Sequence, residues 1–261
     1  MNEAVIGDKL NVSHPHPVPM ITGSGTRTVV CAGGGIIGNQ VAMEAASEGA
    51  SVLVVDIDPE CQASELASSF SKAGEWEIPS PGEIALLVGE ETQIILEILD
   101  REVPSELVPC SRGHLMAKLA IALFEKQGER AVPTDRPIDS VVSHLDPEIV
   151  SLVDREHAVI VTSHMPAGRL CAERCLQPET CPVTQLSWIF PMDQEVRGSL
   201  DGRVDHSIVA RTATVAGFGG IEGNDLNRLL SLVEMGSRGT LGICTCCRCH
   251  GVINILQIGP A

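Results

Sequence analysis

Residues 28–56 read TVVCAGGGIIGNQVAMEAASEGASVLVVD, and this stretch decides how the rest of the chain is read. TVVCA (28–32) is a short apolar, β-branched run of the kind buried in a parallel sheet. Gly33-Gly34-Gly35-Ile36-Ile37-Gly38 follows, a G-x-G-x-x-G turn that leads into the helix-like NQVAMEAASEGA. SVLVVD (51–56) is a second apolar strand, and it ends on a carboxylate.

Each glycine has a physical reason. Gly33 permits a tight turn, Gly35 lets the backbone approach a diphosphate with no Cβ in the way, and Gly38 allows helix to pack closely on strand. The helix N-terminus offers unpaired N–H groups and the positive end of its dipole to phosphates. Asp56, 21 residues after Gly35, stands where an acid accepts hydrogen bonds from an adenosine ribose, which favours NAD over NADP. The expected NAD(H)-binding set is therefore Gly33, Gly34, Gly35, Ile36, Ile37 and Gly38 with Asp56 and Asp58. Residues 28–60, down to the Asp56-Ile57-Asp58-Pro59 ending, resemble the NAD-binding domains of potassium-transport regulators of the TrkA type. The GGG turn is also similar to that of precorrin-2 dehydrogenase. The resemblance implies a Rossmann-type NAD-binding unit and carries over Gly33, Gly35, Gly38 and Asp56 only; beyond residue 65 neither family's pattern continues.

Outward from this unit, short apolar strands alternate with helical segments, which predicts a doubly wound, mainly parallel, Rossmann-like α/β sheet. IDPECQASELASSFSKAG (57–74) reads as a helix capped by Asp58, and a second helix is expected over 91–101, then a strand at 106–110 and a helix over 114–127. DSVVSHL (139–145) and HAVIVTSHM (157–165) are strand candidates. Residues 166–200 break the rhythm with Pro, Gly and a first group of cysteines, and read as a cysteine-bearing loop or small lobe. The expected organisation is an extended arm (1–25, with His14 and His16), a dinucleotide-binding region (26–165), the loop (166–200) and a C-terminal α/β segment (201–261) closing the sheet. In that last segment Gly217–Gly223 reads as a structural turn before a helix.

The chain has 10 cysteines. Cys171, Cys175 and Cys181 cluster in a Pro-rich stretch, and Cys244, Cys246, Cys247 and Cys249 cluster again near the end. Thiolates at such spacing suit an iron–sulfur cluster, for which [4Fe–4S] is the leading form, or structural zinc. The alternative is thiols that pack as small apolar groups or form redox pairs. Along a strand, Cys247 and Cys249 would share one face, with Cys244 and Cys246 on the other.

Pro109–His114 follows a strand and opens a helix, so Cys110, Arg112 and His114 are candidate catalytic residues on the nicotinamide side. His164, just after a strong strand, is a further proton-donor candidate. The formal net charge of −16 repels a phosphate backbone, which argues against nucleic acid as a partner. Two Trp, four Phe and no Tyr make the core aliphatic. No basic-then-apolar leader and no long apolar run is evident, so a cytoplasmic protein without membrane insertion is expected. These features together predict an NAD(H)-binding, iron–sulfur oxidoreductase or electron-transfer protein, with a small-molecule or protein redox partner. The abundant thiols suit an anaerobic setting, and the arm suits a homodimer. The alternatives are a non-enzymatic nucleotide or redox sensor and a zinc-stabilised scaffold.

Overall fold

Apolar strands whose side chains are buried on both faces can only exist between two covering layers, and this chain builds two such sheets. The computed structural model describes residues 26–172 and 174–260. The N-terminal arm with His14 and His16 lies outside the described residues.

The elements run β1 (Thr28–Ala32), α1 (Ile36–Ser47), β2 (Ser51–Asp56), a 3-10 turn (Gln62–Leu66), β3 (Ser69–Lys72), β4 (Ile84–Val88), α2 (Glu91–Arg101) and β5 (Glu106–Pro109). There follow α3 (Leu115–Lys126), β6 (Glu129–Pro133), α4 (Ile138–Val142), β7 (Val150–Asp154) and β8 (Val159–Ser163). The last part holds α5 (Met192–Leu200), β9 (His206–Arg211), β10 (Ala213–Val215), β11 (Phe218–Glu222), α6 (Gly223–Glu234), β12 (Gly239–Cys246) and β13 (His250–Pro260).

The first sheet has the order β10-β11-β5-β1-β2-β4-β3. Strands β5, β1, β2, β4 and β3 are parallel, while β11 joins β5 antiparallel and β10 joins β11 antiparallel. The second sheet runs β7-β8-β13-β12-β9, with β6 also paired to β13. All its pairings are antiparallel except β12 with β9. The fold is thus mixed α/β with two mixed sheets, which corrects the expectation of one doubly wound, mainly parallel sheet. The strand run 139–145 is also corrected, because Ile138, Val141 and Leu145 recur at helical spacing and bury one face of α4. Residues 57–74 form a short 3-10 turn and an edge strand rather than one helix. Ala63 N donates to Gly34 O there, tying the segment to the glycine turn instead of to its own next turn. Residues 218–222 of the second glycine-rich stretch are strand β11.

Alternation within the first sheet sorts its side chains. Val29, Cys31, Val52, Val54, Leu86 and Val108 pack with Val41, Ala42 and Ala45 of α1 on one face. Val30, Leu53, Val55, Leu87 and Leu107 point to the other face, where α2, α3 and α6 also receive Ile208, Leu241, Ile243, Leu256 and Ile258 from the second sheet. These three helices form a layer shared by both sheets. The far face of the second sheet is covered by α4 and α5.

At the β1–α1 turn, Gly33 has φ +114°, a backbone region that favours glycine. A methyl group on Gly38 would be driven into the carbonyl oxygen of Gly33, so helix and turn meet backbone to backbone. Gly35 has nothing within 4 Å of where its Cβ would stand, and its φ is −71°. Gly38→Ala is therefore expected to cost about 2 kcal/mol of stability, read as a lowered urea midpoint, whereas Gly35→Ala should leave that midpoint in place.

Candidate functional site

The order of the parallel strands sends the chain from β1 to one side through β2 and to the other through β5. In open sheets of this kind ligands bind beyond the carboxyl ends of the strands at that reversal point. Two segments meet there, the glycine turn and the β5–α3 loop. Cys110 N donates to Ala32 O at 2.8 Å, and the backbone of Cys110 and Ser111 closes against Gly33. The N-terminus of α1 emerges from this contact with Gly35 as its cap, no side-chain cap and no acidic residue in its first turn. Ile36 and Ile37 are exposed beside it.

Asp56 stands at the tip of β2. Its Oδ2 accepts from Gly34 N at 2.6 Å and its Oδ1 from Asp58 N at 2.9 Å, so the carboxylate holds the turn in shape. Asp58 is exposed and accepts from Glu60 N at 2.9 Å. Cys61 fills the space that a Cβ on Gly34 would need. These contacts are why the middle glycine is one too, a requirement not apparent from the motif's spacing.

The β5–α3 loop has a second face. Pro109, Gly113 and His114 line a cleft of about 690 Å³ between the sheets, together with Thr245, Cys247 and His250. His114 caps α3 and spans the gap: its Nδ1 bonds Asn254 Oδ1 at 2.8 Å, and its Nε2 bonds Thr245 Oγ1. Asn254 turns its Nδ2 toward His157 O at 3.5 Å, which leaves Oδ1 to accept from His114 Nδ1–H. Nε2 is then the acceptor for the Thr245 hydroxyl. Burial holds the His114 pKa down to about 4, against the smaller opposing pull of Asn254.

Across the cleft, the tight β12–β13 hairpin surrounds Cys247. Its Sγ accepts from Cys249 N at 3.4 Å and His250 N at 3.3 Å, and lies 3.3 Å from His250 Nδ1. The Cys249 thiol, followed by His250, brings the Cys247 pKa down to about 4 despite burial. The same contact raises His250. Cys249 is raised by Cys247 first and then by burial, with Cys181 and Cys171 near enough to add their charge.

The other expected site residues are distributed as follows. Cys110 packs beneath the glycine turn and against buried Cys31, and Arg112 is exposed with its carbonyl accepting from Lys118 Nζ at 2.9 Å. His164 is away from the glycine turn; it stacks on Trp188 with centroids 4.8 Å apart, and its N–H donates to Cys249 O at 2.8 Å. It braces the hairpin. Cys244 and Cys246 are buried in the aliphatic cluster under α4 and α5, which separates them from Cys247 and Cys249 as possible ligands. Cys171 is exposed, Cys175 half-buried, and Cys181 buried with its Sγ 3.8 Å from Met165 Sδ. Among the described residues, no three His, Cys, Asp or Glu side chains already meet as ligands around one point. Thr245, Asn254 and His250 were not legible as site residues, because only the pairing of β12 with β13 carries them to His114.

Residues 115–259 match the family described as AF_1314_C, uncharacterized protein, C-terminal domain. The chain belongs to this family. The matched region starts at the first residue of α3, immediately after His114, so the cleft lies where the family's domain joins the glycine-turn unit. No curated protein matches the chain. Among the described residues no helix is long and apolar enough to cross a membrane.

The depressed pKa of His114 makes stability depend on pH. Above its ordinary value of 6.5 the imidazole is neutral both folded and unfolded. As pH falls from 6.5 to about 4, the unfolded chain takes up a proton that the folded one refuses, so stability is lost across that window. The loss attributable to His114 is about 3 kcal/mol, with none added below it. Urea titrations at pH 7 and pH 4 should show a smaller pH dependence in His114→Gln than in the parent; equal dependence would assign the effect elsewhere.

Proposed function

We propose that the chain binds NAD(H) across the glycine turn and works as an oxidoreductase or electron-transfer protein. The observation that carries this reading is the uncapped α1 N-terminus at the strand-order reversal, with open space at Gly35. Four features fit a dinucleotide there. The unsatisfied N–H groups of the first turn of α1 suit a diphosphate. Gly35 lets it approach, and Asp56 keeps lone pairs for ribose hydroxyls beyond those used by Gly34 and Asp58. Ile36, Ile37 and Ile57 offer exposed apolar surface around the same rim.

The nicotinamide of such a cofactor supplies or accepts hydride when bound. The chain's own contribution is to join that site to a reaction chamber. One loop, 109–114, packs on the glycine turn through Cys110 and lines the cleft through Pro109, Gly113 and His114. Within the cleft His114 presents a neutral, fixed tautomer, and His250 stands on the opposite wall. Those two imidazoles can orient a small substrate between them.

Calorimetric titration tests the reading. NADH should bind the parent more tightly than NADPH, and Gly35→Ala should weaken NADH at least about tenfold, the loss of one good charge-assisted contact, with no change in melting temperature. Absence of heat with either nucleotide removes the proposal. Turnover with artificial electron acceptors separates enzyme from sensor, since a sensor binds NADH without consuming it.

A further inference from the structure

Between β8 and α5, residues 174–191 lie against the β12–β13 hairpin, and the contact is specific. Gln177 accepts from Arg248 N at 3.1 Å through Oε1 and donates through Nε2 to Thr212 O at 3.0 Å. Arg174 donates to Ala216 O at 3.3 Å, packs on Gly217 and pairs with Glu44 of α1. On the far side, His164 N and Met192 N donate to Cys249 O and Arg248 O. Cys175 is thus held between two anchors, and the hairpin is gripped by both ends of the segment.

Backbone strain is concentrated in the same place. Arg174, Gln177 and Gln185 adopt φ of 54°, 55° and 60°, a region non-glycine residues rarely occupy. Such conformations persist only where the surroundings impose them, and they gather at functional sites. The stretch between β8 and α5 carries Cys171, Cys175 and Cys181, and Gln177 ties it to the hairpin that carries Cys247 and Cys249.

We infer that Cys171, Cys175, Cys181 and Cys247 hold a thiolate-bound metal centre at this seam. Cys247 already has the environment of a ligating sulfur, with two backbone N–H groups donating to it from the following residues. Cys171 lies next to Cys175 and within reach of the charge on Cys247, while Cys181 lies within reach of Cys249. Among the described residues no three of these side chains yet meet around one point. Closing the set asks Cys171 and Cys175, the two more accessible thiols, to turn toward Cys247 and the buried Cys181. Packing as small apolar groups explains Cys244 and Cys246 inside the third cluster, but not an exposed Cys171 beside a half-buried Cys175. Four thiolates accept either an iron–sulfur cluster or zinc, and the two are separated by analysis. The inference is independent of nucleotide binding.

The test uses the full chain, produced and purified without oxygen and without added nucleotide. Iron, acid-labile sulfide and zinc are measured per chain, before and after reconstitution with each. One centre per chain is expected, as iron with sulfide and a broad visible absorption, or as zinc with none. Cys175→Ser and Cys247→Ser should each lower metal content roughly tenfold or more, since even an outer partner of a ligand costs roughly 10–100-fold in affinity. Cys244→Ala should retain it. Alkylation of the unmodified chain gives a readout that does not depend on variants folding. Cys171, Cys175, Cys181 and Cys247 should be protected until a chelator is added, or in the iron form until the cluster is oxidised away. A chain that holds no metal after reconstitution, or thiols that alkylate equally with and without metal, would overturn the inference.

Discussion

The imidazole at the head of α3, bonded to two strands of the second sheet, is the constraint on which the arrangement of the two sheets depends. Helices α2, α3 and α6 serve both sheets at once, so neither sheet keeps its inner face without the other. Hydrophobic burial alone would let the two halves slide, because aliphatic contacts are non-directional. His114 supplies the direction. Its two nitrogens reach Asn254 on β13 and Thr245 on β12, and the neutral ring with its proton on Nδ1 makes both bonds at once. A second proton would turn Nε2 from an acceptor into a donor and place a charge on a largely desolvated ring.

The same loop that ends in His114 begins by closing the glycine turn. Cys110 lies beneath Gly33 and Gly38, four residues before the imidazole that crosses to the second sheet. Anything that shifts the β1–α1 turn therefore presses on a segment whose other end shapes the cleft. The loop is short and fastened at both ends, by Cys110 N to Ala32 O and by the His114 contacts. It has little slack to absorb a displacement. The family's domain begins at the next residue, so this loop is also the seam between the two units of the chain.

What could be read from the sequence was local. The glycine turn, both flanking strands and α2 depend on spacing within a few residues, and the structure has them at 28–56 and 91–101. The elements that escaped were decided by distant partners. Ile84–Val88 is only five residues between a Pro- and Gly-rich run and Gly89, too short for periodicity to separate strand from buried turn, yet β2 and β3 flank it on both sides. Ile138 and Val141 look β-branched and strand-like one at a time; only the place of Leu145 in the same cluster makes their helical spacing meaningful. The antiparallel character of the second sheet was hidden for the same reason. Strand β13 pairs with β12, which is near in sequence, but also with β8 and β6, roughly ninety and more than a hundred residues away.

The cysteines show how topology divides residues that composition groups together. Cys244, Cys246, Cys247 and Cys249 look like one cluster, but a strand alternates its side chains and a hairpin turns them. Pairing of Cys246 with Gly251 sets the end of the ladder, so Cys244 and Cys246 enter the aliphatic layer while Cys247 and Cys249 fall in the turn. In that turn successive N–H groups point inward at one sulfur. A thiol in an aliphatic layer resists ionisation, and burial together with Cys246 raises Cys244 accordingly. A thiol ringed by N–H donors favours the thiolate. Three residues of displacement along one hairpin, from Cys244 to Cys247, are thus enough to turn the same side chain from packing material into a group with chemistry, and the register of β12 on β13 makes that choice.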